Sequence, residues 1–91
     1  MIRWSKEKDR WLRENRGISF QEIANDIVDG NFIACLENPS RAGQEIFVLW
    51  IQDYTWVVPF VIEEGQSLFL KTAFSSRKLH RRYGGSHGQK N

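Results

Sequence analysis

This 91-residue chain has one cysteine, two histidines and two prolines, and acidic residues are absent from its last 21 positions, 71–91. Each scarcity removes a class of protein. A lone Cys35 cannot close an internal disulfide, which excludes a small disulfide-stapled scaffold. One thiol with two imidazoles, His80 and His87, falls short of a zinc-ligand set, and no metal or other cofactor is expected. A reducing, cytoplasmic setting fits this composition. Long apolar runs are missing too. The longest, residues 56–62, contains Pro59 and falls well short of the ~20 residues of a membrane helix, and Met1-Ile2-Arg3-Trp4 leads into charge rather than into an apolar leader. Neither a membrane partner nor an export segment is expected.

What is present is a core. Apolar residues are 41% of the chain and 12 are aromatic, so it is neither disordered nor of low complexity. At this length a two-domain enzyme is excluded. A single domain over residues 1–83 with a flexible tail at 84–91 is expected, marginally stable unless a partner supports it.

The net charge of +2 conceals segregation. Residues 1–16 hold six basic and three acidic side chains, residues 17–70 hold one and eight, and residues 71–91 hold six and none. Opposite fields on one small body suit a polyanion at the basic end and a cationic or mixed partner along the acidic middle.

Apolar spacing predicts a helix over residues 5–15, with Trp11 and Leu12 facing the core and Gly17 as its cap. Ser19 and Glu22 form a capping box, and Phe20, Ile23, Ala24, Ile27 and Val28 make a full helical stripe, so a second helix starts at Phe20. From Phe32 the period shortens. Strands are expected over 32–37, 46–51, 56–62 and 67–74, the last three as an antiparallel meander, with Pro59 marking a bulge or an edge. Strict alternation along the last strand would put Leu68, Leu70, Thr72 and Phe74 on one face and Lys71 and Ala73 on the other. Cys35 reads as an inert core thiol, and Trp4, Trp11 and Trp50 as core rings. A short helix over 77–83 exposes Arg77, Lys78, His80, Arg81 and Arg82 and docks through Leu79 and Tyr83. The expected class is α+β: two N-terminal helices on one face of a small antiparallel four-stranded sheet, with a short C-terminal helix.

Three stretches carry a family resemblance. Ile2-Arg3-Trp4, Lys8 and Gly17-Ile18-Ser19-Phe20-Gln21-Glu22 resemble the opening of the BrnT-like toxins of bacterial type II toxin–antitoxin pairs, and Phe74-Ser75-Ser76-Arg77-Lys78 with Arg81-Arg82-Tyr83 resembles their ending. The apolar meander lies between. The resemblance spans residues 2–83 and implies a RelE/ParE-superfamily fold, metal-independent RNA cleavage that inhibits translation, and neutralisation by a ribbon-helix-helix antitoxin. It implies contact with RNA or the ribosome, and with DNA only through the antitoxin complex. Two positions depart from the family pattern: Arg16 stands where the family usually has His, and Ser5 where it usually has Asp.

Metal-free RNA cleavage needs a base for the 2′-hydroxyl proton, an acid for the leaving oxygen and cations on the developing phosphorane. His80 is the candidate titrating group, Arg77 and Arg81 are candidate phosphate forks, and Tyr83 is a candidate proton donor or base-stacking ring. Lys71, Lys78, Arg82 and Arg41 are candidate RNA-binding cations. Two other functions fit the same residues: a non-enzymatic nucleic-acid-binding or regulatory module, and a ParE-type gyrase-directed toxin.

Overall fold

The computed structural model describes residues 1–84; of the tail expected at 84–91, Gly84 is buried in the last helical turn, and the rest, including His87, lies outside the described residues. Strand β1 (Ile2–Trp4) leads into helix α1 (Lys6–Arg16), where the Ser5 side chain accepts a hydrogen bond from the Lys8 N–H and Gly17 closes the helix in the left-handed region at φ 69°. Helix α2 (Phe20–Val28) starts on the capping box read from the sequence. Asp9 joins the two helices, accepting the Phe20 N–H at 2.8 Å and pairing with Arg13 at 3.1 Å.

The sheet is larger than expected and is mixed. Strands β2 (Ala34–Glu37), β3 (Glu45–Ile51) and β4 (Tyr54–Ile62) form the antiparallel core, followed by β5 (Leu68–Leu70) and β6 (Phe74–Ser75). The order is β1-β5-β4-β3-β2, with β6 pairing β4, making six strands rather than four. Strand β1 pairs parallel with β5, Ile2 with Leu68 and Trp4 with Leu70. Three residues are too few for a periodic signal. The strand exists because Ile2 and Trp4 bury their side chains against the helix-covered face.

The expected fourth strand is broken by a bulge. Phe60 faces Leu70 and Val57 faces Phe74, so Lys71, Thr72 and Ala73 span an interval that only Val58 and Pro59 span on β4. Pro59 accounts for its position. Its carbonyl accepts the Lys71 N–H at 2.8 Å, so the side of Pro59 without a donor points at the broken ladder and not at β3. The extra residue shifts the alternation: Leu70 and Ala73 are both fully buried in the helix-side core, whereas Lys71 and Phe74 are exposed.

Both helices pack on one face, as expected. Leu12, Ile18, Phe20 and Ile23 meet Phe47, Leu49, Trp56, Val58, Phe60 and Leu70, and the Phe47 and Phe60 rings stack at 4.4 Å. Leu12 alone carries α1 into this core. Trp11 is 41% exposed, correcting its expected place inside. On the opposite face Ile46, Val48 and Val57 are covered by Leu79 and Tyr83 from the C-terminal turn. That turn is one helical step, α3 (Arg77–Leu79), capped by the Ser76 hydroxyl, and then a π-helical turn at His80–Gly84. No helix among the described residues is long and apolar enough to cross a membrane.

Candidate nucleic-acid interface

The β5–β6 bulge borders a groove of about 460 Å³. One wall is the β2–β3 loop, giving Asn38, Ser40, Arg41 and Gln44, and the other is the bulge, giving Lys71, Thr72 and Phe74; Lys8 and Pro59 complete it. No Asp or Glu is among the described residues that line it. The loop is held by its own backbone. Asn38 N–H donates to Gln44 O at 3.0 Å, the Ser40 N–H donates to Asn38 Oδ1 at 2.9 Å, and Gln44 N–H donates to Arg41 O at 3.3 Å. Lys71 is fixed by its own amide on Pro59, and its ammonium lies 5.5 Å from the centre of the Phe69 ring. Phe74 leaves 39% of its surface exposed beside these cations.

Such a groove can bind phosphate through three cations and stack an unpaired base on an aromatic face. The sequence pointed to Lys71 and Arg41, and the structure brings them together. It did not point to Phe74, whose exposure follows from the bulge, nor place Lys8 in the site. Lys8 lies three residues before Trp11, with its ammonium 4.7 Å from the indole centre.

His80 lies on the other covered face, half-buried. Its Nδ1 is 3.0 Å from the hydroxyl of fully buried Thr55, and its ring stacks on Tyr54 at 4.0 Å and Trp50 at 5.5 Å. Gly84 lies against the imidazole, where a Cβ would fall 2.6 Å from Nδ1. Arg77, Lys78, Arg81 and Arg82 are exposed on the turn around it, and Arg82 lies over Tyr83 at 5.5 Å. Tyr83 is half-buried in the second cluster. None of these six residues lines the groove, so the candidates fall into two groups.

Among the described residues no group of three or more His, Cys, Asp or Glu is placed to hold a metal ion. Cys35 is exposed on edge strand β2, not in the core, with its thiol 3.7 Å from Glu45 Oε1. Partial burial, and then the Glu45 charge, push that thiol above its ordinary pKa.

Comparison of the whole fold gives one informative match. The 1.1 Å crystal structure of the Brucella abortus ribonuclease toxin BrnT aligns over 82% of this chain and 94% of that one, with a TM-score of 0.60 and 17% identity. The chain has the BrnT fold. No family model and no curated protein matches its sequence. The BrnT likeness therefore lies in the architecture, while the groove and the His80 cluster are read from this chain's own residues.

Proposed function

We propose that this protein is the toxin of a bacterial toxin–antitoxin pair, a metal-independent endoribonuclease of the RelE/ParE type that stops translation in the cytoplasm. The groove carries the proposal: Lys8, Arg41 and Lys71 gather without a lining carboxylate, on a fold shared with a ribonuclease toxin. The cations would hold successive phosphates of a single strand, with an unpaired base on Phe74.

Cleavage then follows from the 2′-hydroxyl. A base removes its proton, O2′ attacks the adjacent phosphorus, and the 5′-oxygen leaves with a proton from an acid. His80 is the group proposed for proton transfer; Thr55 holds Nδ1, so Nε2 is the nitrogen to exchange a proton with RNA. Arg77 and Arg81 would take the phosphorane oxygens, Tyr83 would assist the leaving oxygen, and Lys78 and Arg82 would follow the backbone. The proposed partner is a ribbon-helix-helix antitoxin with a basic arm, and DNA is reached only through that complex.

One observation favours a second function. The imidazole is stacked and hydrogen-bonded like a packing ring, which suits a module that binds RNA without cutting it. Inducing the wild-type chain and an Arg77→Ala, His80→Ala double variant, each without a partner, separates the two. Growth arrest with fragmented RNA in the wild type alone is the expected outcome. Normal growth with intact RNA in both would favour the binding module.

A further inference from the structure

Arg16, at the last turn of α1, reaches across to the sheet. Its Nη1 donates to the backbone carbonyl of Ala73 inside the β5–β6 bulge, and its guanidinium lies 4.6 Å from the centre of the Trp11 ring. The same ring holds the Lys8 ammonium at 4.7 Å. Trp11 stays 41% exposed, and the two cations lie over its ring. One guanidinium therefore ties together two parts of the groove wall, the bulge and Lys8, through the Trp11 ring beside it. It fastens the carbonyl of the bulge that presents Lys71, Thr72 and Phe74, it braces Trp11, and through Trp11 it sets Lys8.

From this geometry we infer that Arg16 is a positioning residue: it clamps the bulge and the Lys8–Trp11 pair in the arrangement that receives a nucleic-acid strand, without touching the strand itself. This inference rests on the ribonuclease proposal for what the groove does. A bulge has an interrupted ladder, and a side-chain donor there secures a backbone carbonyl that the regular ladder does not hold in place. A guanidinium can donate in its plane to a carbonyl while its face lies over an indole, which a Lys ammonium, with no planar face, cannot do.

The test uses the full chain and a short 2′-O-methyl oligouridylate, which binds but cannot be cut. Arg16→Met keeps the apolar stem against Trp11 and removes the donor. The Lys71 amide, bonded to Pro59 O, should exchange with solvent roughly tenfold faster in Arg16→Met, the loss expected for one charge-assisted hydrogen bond, while amides of β3 keep their protection. Oligouridylate affinity should fall by a similar factor, and Arg16→Lys should recover part of it. In a Lys71→Ala background Arg16→Met should cost less than it does in the wild type, because part of its effect runs through Lys71. Unchanged exchange at Lys71, or a loss of affinity fully additive with Lys71→Ala, would overturn the clamp. If the wild-type chain leaves RNA intact yet Arg16→Met still loosens Lys71 and weakens binding, cleavage is refuted and the clamp stands. If the wild type cuts RNA and Arg16→Met changes neither readout, the clamp is refuted and cleavage stands.

Discussion

Gly84 shows what a single residue decides here. It is buried against the His80 ring, and its φ lies outside the left-handed region, so what it supplies is space. Gly84→Ala should displace the imidazole from Thr55 and cost about 1–3 kcal/mol, the usual range for overpacking; a thermal melt and the His80 ring resonances would register both. Cys35 makes a second residue-scale case. Its exposed thiol should alkylate slowly near neutral pH, because burial and Glu45 hold it protonated, and Glu45→Gln should speed the reaction. Neither environment was legible in sequence. A histidine among arginines reads as a solvated group, and only the tertiary fold brings Thr55, Tyr54 and Trp50 to its ring. An apolar stretch hides an exposed cysteine when its strand ends up at the sheet edge.

At the scale of elements, local rules served the helices well. The Ser19–Glu22 box and the stripe from Phe20 define α2 because capping and 3.6-residue periodicity are local properties. Trp11 escaped them: it adjoins Leu12 in sequence, but only Leu12 points into the core, and the indole is held outside by Lys8 and Arg16. The sheet was less legible. Strand β1 is too short to show a period, and the bulge opposite Pro59 reverses the alternation on which the faces of Ala73 and Phe74 were assigned. The candidate site depends on that reversal, which explains why two of its cations were found and Phe74 was not. Helix α2 also carries a pH-dependent cost. Burial first, and then Asp29 and Glu22, raise the Asp26 pKa above its ordinary value. The folded state therefore binds this proton more tightly than the unfolded chain, so stability falls as pH rises from the ordinary Asp range through the raised folded value. Asp26→Asn should stabilise the protein at neutral pH by up to about 0.5 kcal/mol and do little at pH 3; melts at the two pH values would show it.

For the molecule as a whole, charge segregation is the feature that sequence and structure share. The acidic side chains Glu22 and Asp26 lie on α2 and Asp29 caps its end, while Lys8, Arg41 and Lys71 meet in the groove and Arg77, Lys78, Arg81 and Arg82 line the C-terminal turn. Opposite fields of this kind suit a protein that binds a polyanion with one surface and is restrained by a basic partner on another. Removing two groove cations with Arg41→Ala, Lys71→Ala should flatten the salt dependence of single-stranded RNA binding by roughly 0.7 per cation. The most direct measurement is cleavage of purified RNA, with a metal chelator present, by the wild-type chain, the groove double variant and His80→Ala. Fragments from the wild type, weaker binding by the groove variant, and retained binding without cleavage by His80→Ala are predicted. Intact RNA with the wild type, or full affinity in the groove variant, would contradict a metal-independent endoribonuclease that holds its substrate in this groove.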